Sequence, residues 1–208
     1  MMAATTIFTR VRLATAADIP HIHSLIHQLA VYENLTHELQ ATPAALSSTL
    51  FPAAAPPPFT TLLLEISTSP FTPPSHDPHF TPLLKSFHLQ LPVDDGEEEM
   101  FRCGGGATVA GFVLFFPKYS TILAKPGFYI QNIFVRECYR RMGMGTLLLS
   151  AVAARAAEMG GGRVEWVVAD WNVDAIAFYE RLGAEILTGR SLCRLTGEAL
   201  HAYAYFKF

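Results

Sequence analysis

A short turn rich in arginine and glycine is the part of the sequence whose residue types suggest chemistry most directly. In "RRMGMGT", Arg140 and Arg141 precede Gly143 and Gly145, and an apolar helix is predicted over residues 145–159. Glycines let the backbone approach a ligand closely, and the first amides of a helix have no intrahelical acceptor. The pattern therefore suits phosphate or diphosphate oxygens. A tight strand-to-helix turn also uses glycine for geometry alone, and the turn by itself leaves both interpretations open.

The turn does not fit two other phosphate-binding patterns. The third glycine and the later acidic residue of a dinucleotide-binding fingerprint are missing, and so is the Gly-Lys-Ser/Thr ending of a Walker loop. His23 and His27 stand four residues apart on a predicted helix and could ligate a metal, but no third ligand is near them in the sequence. We expect no metal.

Composition narrows the classes of protein. The 208 residues are 50% hydrophobic and 16% charged, and the net charge is -3, which indicates a globular domain and gives no reason to expect nucleic acid or an anionic membrane. A cationic substrate is compatible with that charge. Three cysteines, an odd number at unrelated spacings, favour a reducing compartment. We expect a cytoplasmic protein, with the nucleus also open.

The elements that must position the turn follow the order β-α-α-β, insertion, β-β-α-β-α-β, which predicts a mixed α/β sheet. "TAAD" predicts a helix start at Thr15 and Asp18. Buried strands are predicted over residues 127–135 and 163–170, and the tail supplies the last strand. The Pro-, Ser- and acid-rich stretch at about 68–106 is predicted to be a mobile loop, inserted in a single domain of residues 7–208. Its acidic run is either a solvated segment, which we favour, or a lid that attracts a cation.

Arg140-x-x-Gly143-x-Gly145, entered from a strand and leaving into a helix, resembles the acetyl-coenzyme A signature of the GNAT acetyltransferases. "ADWNVDAIAFYERLGA" resembles the matching element of the small-amine branch, the spermidine/spermine and thialysine enzymes. "FPKYS", "GFYIQNIFVRECYRRMGMG", "RVEWVVADWN" and "CRLTGEAL" together look most like plant members that acetylate ornithine or diamines. The resemblance covers residues 9–35 and most of 109–200.

This resemblance implies the GNAT fold, a mixed, mostly antiparallel central sheet whose central strands splay apart, flanked by helices. Acetyl-coenzyme A would enter that gap as cosubstrate and pair with a strand backbone, while the turn holds its diphosphate. Asn172 would contact the cofactor and also cap a helix. The implied cofactor contacts are Ile133, Phe134, Val135, Arg140, Arg141, Met142, Gly143, Met144, Gly145, Thr146 and Asn172.

For catalysis, the resemblance assigns Tyr179 as the general acid that protonates the departing thiolate; an aromatic packed on a helix face is the alternative. Gln131 and Asn132 stand where small-amine members carry Glu-Asp. A carboxamide accepts no proton at neutral pH and has no charge. We therefore expect either a proton relay through ordered water to another group, or a slow, altered or inactive enzyme.

The implied substrate contacts are Tyr32, Glu33, Gln131, Asn132, Glu165, Trp166 and Val167. Glu33 could instead be a solvated helix-end carboxylate, and Trp166 and Val167 would suit a buried strand in any case. The expected activity is acetyl transfer from acetyl-coenzyme A to a primary amine of a diamine, polyamine or basic amino acid, such as ornithine, putrescine or thialysine. The expected state is a homodimer. An acetyl-coenzyme A-binding protein with impaired or lost catalysis is the alternative, and a protein-modifying acetyltransferase is a third hypothesis.

Overall fold

The structure is a computed structural model that describes residues 5–53, 57–72, 80–89 and 92–205. Their strands are β1 (Thr5–Leu13), β2 (Thr60–Ser67), β3 (Leu83–Leu89), β4 (Arg102–Cys103), β5 (Ala107–Ser120), β6 (Lys125–Val135) and β7 (Arg163–Glu165). The helices are α1 (Ile19–Tyr32), α2 (Pro43–Leu50), α3 (Glu98–Phe101), α4 (Met144–Glu158), α5 (Val173–Arg181) and α6 (Gly197–His201). The chain divides into two units, with the first ending at Val167 and the second beginning at Val168.

One sheet forms the first unit, in the order β3-β1-β2-β5-β6-β7, with β4 paired to β5. All pairs are antiparallel except β6 with β7, which confirms the predicted mixed, mostly antiparallel sheet. Apolar side chains of α1 and α2 pack against one face, where Ile22, Leu25 and Phe112 are fully buried. The helix α4 contacts β1, β2, β5 and β6.

A buried ionic network fixes α1 to the sheet. The Glu65 side chain on β2 is 1% exposed and accepts hydrogen bonds from Arg10 at 2.6 Å and Arg12 at 2.7 Å. Arg12 also binds both carboxylate oxygens of Asp18 at 2.8 Å. The Thr15 amide donates to Asp18 at 2.8 Å, as the predicted start signal requires. Removing one partner would leave a buried charge unpaired, so this network ties the start of α1 to β1 and β2.

Three predicted elements differ from the structure. Within the stretch predicted as an inserted loop, β3 extends the sheet beyond β1, and α3 and β4 follow it. The predicted strand at 163–170 is reduced to Arg163–Glu165 and is only partly buried, because β7 is the last strand of the sheet and has a neighbour on one side only among the described residues. The tail forms α6 and a following 3₁₀ turn instead of the predicted strand.

The helix α4 also differs from its prediction. Its apolar composition predicts that other parts of the protein pack against most of its sides. In the structure only the face with Leu148 and its neighbours is buried, and the exposed residues include Ser150, Ala153, Ala154 and Ala157. Small side chains leave little apolar area to hide, so exposure costs little there. The helix ends at the predicted glycines, where the Gly161 amide donates to the Ala156 carbonyl at 2.8 Å.

Candidate functional site

The glycine turn places a row of backbone amides at the start of α4, where a helix offers them no acceptor. Gly143 is in the left-handed region with a φ of 84°, and α4 begins at the next residue. The Leu147 amide is the first to donate back, to the Gly143 carbonyl at 3.1 Å. The amides of Met144, Gly145 and Thr146 therefore have no acceptor within the helix and lie at the positive end of its dipole. This arrangement fits the diphosphate of a coenzyme.

The strand that enters the turn has an open edge. The pairing of β6 with β7 begins at Gly127 and ends with Tyr129 opposite Glu165. Beyond that point, β6 continues through Val135 with no strand on its β7 side among the described residues. The gap predicted between the two strands is thus present, although β7 is shorter than expected. Ile133, Phe134 and Val135 lie along this edge, where an extended arm could add as a strand.

Arg140 lies at the meeting point of the turn, β6 and α1. Its Nε donates to the Val135 carbonyl at 2.9 Å. Its guanidinium carbon lies 4.6 Å from the Tyr32 ring centre and 5.3 Å from that of Phe134. The structure therefore brings together one predicted substrate residue and three predicted cofactor residues. Arg141 follows with a positive φ of 64°, which is uncommon for a residue with a side chain.

A β-bulge sits at the predicted catalytic position. Leu114 on β5 pairs with Asn132 and Phe115 pairs with Ile130, so Gln131 is the extra residue of β6. Bulges re-aim a side chain and are frequent beside active sites. Gln131 is exposed and Asn132 is half-buried. The carboxamide at 131 thus reaches solvent next to the open edge of β6.

Glu33 follows α1 and is half-buried. Burial raises the pKa of its carboxyl group above the usual value, because the ionised form loses hydration. A cation placed beside Glu33 would relieve that cost. The neighbouring Tyr32 is 37% exposed, so the end of α1 presents both an aromatic ring and a carboxylate.

In the predicted substrate stretch Glu165–Val167, Glu165 already has charged partners within the chain. The Glu165 carboxylate lies 2.7 Å from the Lys118 ammonium and 3.2 Å from the Arg163 guanidinium. Two cations of the chain itself therefore already neutralise it. Trp166 is half-buried, and Val167 is 59% exposed. Glu165 is opposite Tyr129 in the sheet register, two positions before Gln131.

Tyr179 and Asn172 both lie in the second unit. The Asn172 side chain accepts from the Ala175 amide at 3.3 Å, so it caps α5 as expected. Tyr179 is 7% exposed, and its ring centre is 5.2 Å from that of Phe178. Both the aromatic packing and the cap are present. The roles of these two residues toward the coenzyme stay predictions.

The sequence alone did not reveal a buried ion pair that holds the segment following β6. Arg136, 1% exposed, donates through Nη1 to Asp95 at 2.8 Å and through Nη2 to its other oxygen. The Tyr139 hydroxyl donates to Asp95 at 2.8 Å. Burial would raise the pKa of Asp95, but the hydrogen bonds from Arg136 and Tyr139 outweigh it and hold that pKa below the usual value. Asp95 belongs to the acidic run, so this residue of the run is anchored rather than solvated.

A second residue that the sequence did not reveal is Phe87 on β3. A Cβ built on Gly143 would lie 3.1 Å from the Phe87 ring, so β3 flanks the glycine turn. Phe87 stands in a stretch whose composition indicated a loop. The alternation of Phe87 and Leu89 with the polar residues Ser86 and His88 was the available signal for a strand.

Two other features, a metal site and a membrane-spanning helix, are absent from the residues that the structure describes. Over the described part of the chain, no group of three or more His, Cys, Asp or Glu side chains is arranged to hold a metal. The His23 ring lies 3.2 Å from the Ala41 carbonyl oxygen. None of the described helices has the length and apolar character needed to cross a bilayer.

Comparison with known proteins gives a consistent picture. The profile described as "Acetyltransferase (GNAT) family" matches residues 61–184. An L-ornithine N5-acetyltransferase, NATA1, of Arabidopsis thaliana is 54% identical over 94% of this chain and 87% of its own length. Tyramine N-feruloyltransferase 4/11 of Nicotiana tabacum is 41% identical over 95% of this chain and 92% of its own length.

The fold is also found among solved structures. An integron cassette protein from the mobile metagenome of V. cholerae superposes with a TM-score of 0.62, covering 95% of this chain and 98% of its own. The two sequences are 14% identical, so this likeness concerns the fold alone.

Proposed function

Since this chain belongs to the acetyltransferase (GNAT) family and is an amine N-acetyltransferase, we propose that it moves acetyl from acetyl-coenzyme A to a primary amine of ornithine, a diamine or thialysine. The proposal depends on one arrangement: the open edge of β6 at Ile133–Val135 is followed along the chain by the amides of Met144, Gly145 and Thr146, which have no acceptor within α4. Together they form a continuous path for a diphosphate and the extended arm attached to it.

The coenzyme, when bound, supplies an activated thioester. In our proposal, the turn from Arg141 to Thr146 holds the diphosphate, and the β6 edge orients the arm so that its thioester lies beside Gln131. Positioning of both reactants supplies much of the acceleration in such transfers. Tyr179 donates a proton to the departing thiolate, and Asn172 contacts the coenzyme.

The amine must lose a proton before it attacks, because free alkylamines have a pKa of about 10 and are mostly protonated at neutral pH. We assign Tyr32, Glu33, Gln131, Asn132, Glu165, Trp166 and Val167 to the amine site. Within that set, Glu33 faces the ammonium group, and the carbonyl oxygens of Gln131 and Asn132 accept hydrogen bonds from the amine or from an ordered water, which takes up the amine proton and passes it to bulk solvent. Glu165 acts through its pairing with Lys118 rather than as a free charge.

The test is an amine panel with measurement of thiol release. Ornithine, putrescine, thialysine and a set of lysine-containing peptides are each given with acetyl-coenzyme A. Acetylation of a small amine is expected, and the pair Gln131→Glu with Asn132→Asp should lower KM for the cationic amine and raise kcat near neutral pH. Gln131→Ala is the control for removal of the carboxamide. Coenzyme binding without any transfer, restored by the acidic pair, would favour the alternative of a binding protein with lost catalysis. Transfer to peptides alone would also overturn the proposal.

A second candidate concerns the acyl donor and is favoured by a specific observation. The relative that is 41% identical is named for feruloyl transfer to tyramine, and residues 131 and 132 carry no charge here. A site without the Glu-Asp pair has less attraction for a doubly charged amine and suits an amine with one charge. The panel therefore includes tyramine and feruloyl-coenzyme A. Preference for that combination would replace the acetyl proposal.

We further propose a homodimer in the cytoplasm, on the strength of the family resemblance. The three cysteines are free thiols, which suits a reducing compartment. Light scattering on the purified protein measures the mass of the assembly, and a monomer at micromolar concentration would contradict the dimer. A fluorescent fusion would show the location.

A further inference from the structure

We propose that β3 provides a subsite for the nucleotide end of the coenzyme, in which Phe87 contacts the adenine ring and Lys85 pairs with the 3′-phosphate. The inference rests on the proposed coenzyme site and extends it to a strand that lies in the acid- and proline-rich segment. Its support comes from the two β3 side chains that lie on the α4 face of the sheet.

The register of the sheet puts both side chains on the face that carries α4. Phe87 pairs with Ile7 and Lys85 pairs with Thr9, and directly opposite residues of paired strands share a face. Successive side chains of β1 point to opposite faces of the sheet, so Ile7 and Thr9 lie on the face opposite to Arg10 and Arg12. The two arginines bind Glu65 and Asp18 on the α1 face. The residues on the other face of β1 therefore point toward α4, which contacts this strand.

Phe87 reaches the start of α4 itself. Its ring would lie 3.1 Å from a Cβ on Gly143, the residue immediately before the helix. Since the predicted diphosphate site is formed by the next three amides, the ring lies within one residue of that site. Phe87 is half-buried rather than enclosed.

Lys85 adds a cation on the same strand and the same face. Its ammonium nitrogen lies 5.1 Å from the Phe87 ring centre, and the residue is exposed. The chain as a whole carries a net charge of -3, so its general field does not attract an anion, and local cations must do so. Lys85 provides such a cation beside the Phe87 ring.

The chemistry of the coenzyme matches this pair of side chains. Beyond the diphosphate, the molecule carries an adenine, which has an aromatic face, and a 3′-phosphate with up to two negative charges. Stacking of a base on an aromatic side chain contributes about 1–3 kcal/mol in nucleic-acid complexes. A lysine ammonium is a common point-charge partner for phosphate. Phe87 and Lys85 thus recognise the two groups that distinguish this coenzyme from a simple diphosphate.

The test compares binding of coenzyme A and 3′-dephospho-coenzyme A by calorimetry. Lys85→Ala should weaken the binding of coenzyme A about fivefold, which is the effect expected from loss of an exposed ion pair, and should leave the affinity for the dephospho form unchanged. Lys125→Ala, an exposed lysine at the start of β6, is the matched control and should affect neither. The Lys85 effect should also shrink as salt is raised from low to high concentration.

Phe87 is tested with two substitutions. Phe87→Leu should weaken both ligands about tenfold through loss of base stacking, while Phe87→Tyr retains the aromatic face and should bind nearly as wild type. Equal melting temperatures of the two variants would show that the loss is not due to unfolding of β3. If Phe87→Leu lowers the melting temperature, the Lys85 comparison still decides the subsite.

Failure of this inference differs from failure of the proposed function. If the wild-type protein binds neither ligand, the coenzyme site itself is wrong. If it binds both with equal affinity, or if Lys85→Ala weakens both equally, the coenzyme site stands and the subsite on β3 is refuted.

Discussion

The Arg140 guanidinium carbon lies 4.6 Å from the centre of the Tyr32 ring, which joins the end of α1 to the turn before α4. The same arginine donates to the Val135 carbonyl, on the strand edge assigned to the coenzyme arm. The amine side and the coenzyme side of the proposed site therefore share one cation. A change in the Tyr32 ring should therefore be felt on the coenzyme side.

The first prediction follows from that contact. Tyr32→Leu removes the ring that holds Arg140, so acetyl-coenzyme A should bind about two- to fivefold more weakly, as expected for a cation–π contact of about 0.5–1 kcal/mol. Tyr32→Phe keeps the ring and is the control. Calorimetry with the single and double variants of Tyr32 and Arg140→Ala gives the coupling. Strictly additive losses would mean that the two residues act independently.

The second prediction concerns Gly143. Its φ of 84° and the nearby Phe87 ring make any side chain there strained, at a cost of about 1–2 kcal/mol. Gly143→Asn and Gly143→Asp share that strain and differ only in charge. The aspartate beside a bound diphosphate should abolish coenzyme binding, whereas the asparagine should weaken it only moderately. Calorimetry and a melting curve for each variant separate binding from folding. Equal affinities for the two variants would place the diphosphate elsewhere.

The third prediction concerns the buried pair of Asp95 and Arg136. Asp95→Asn leaves the buried Arg136 charge with only the more distant Glu97 carboxylate, at 3.7 Å, and should lower the free energy of unfolding by about 3 kcal/mol at pH 7. Tyr139→Phe removes one hydrogen bond to the same carboxylate and should cost about 1 kcal/mol. Urea denaturation measures both. A cost for Asp95→Asn no larger than that for Tyr139→Phe would contradict a charge-dependent role.

The pH dependence of that cost has a definite sign. The folded-state pKa of Asp95 is lowered, so its contribution is fully present above its unfolded pKa of about 3.9 and is lost as pH falls through the lower, folded value. The difference between wild type and Asp95→Asn should therefore shrink below about pH 4. A constant difference from pH 7 to pH 3 would exclude linkage to this carboxyl group.

Features with a local cause could be predicted from the sequence. Three such features depend only on neighbouring residues: the glycine turn, the start of α4 after it and the end of α4 at Gly160–Gly162. The structure has each of them within one residue of the predicted position. The open edge of β6 could be predicted only from the family resemblance, because periodicity does not reveal how far a neighbouring strand extends.

Features that depend on distant partners could not be predicted. β3 is polar at alternate positions and follows a proline-rich stretch, and its stability comes from pairing with β1 about 76 residues earlier. Asp95 looks like one more residue of a solvated acidic run until Arg136, 41 residues later, is placed beside it. The bulge at Gln131 depends on the register with β5, which no local signal fixes.

A fourth prediction concerns thiol reactivity. Burial, with Glu65 nearby, raises the pKa of Cys103 to about 12, and burial near Asp95 raises that of Cys138 to about 11. Neither should form a thiolate at pH 8, whereas Cys193 is exposed. A chromogenic disulfide reagent should therefore react quickly with one thiol in the native protein and with three in urea. Cys193→Ser should remove the fast phase, and a remaining fast phase would show that one of the two half-buried thiols is accessible to the reagent.

The last prediction concerns Glu33, whose pKa is raised by burial. Such a group favours the folded state when it is protonated and opposes it when it is ionised. Its contribution to stability is therefore present below the unfolded pKa and is lost as pH rises through the higher, folded pKa. Glu33→Gln should therefore increase the free energy of unfolding at pH 7 but not at pH 4, while raising KM for a cationic amine and leaving KM for acetyl-coenzyme A unchanged. Glu180→Gln, on an exposed position of α5, is the control and should change none of these. Urea denaturation at the two pH values and steady-state kinetics measure the trade-off, and a stabilised variant with unchanged amine KM would remove Glu33 from the amine site.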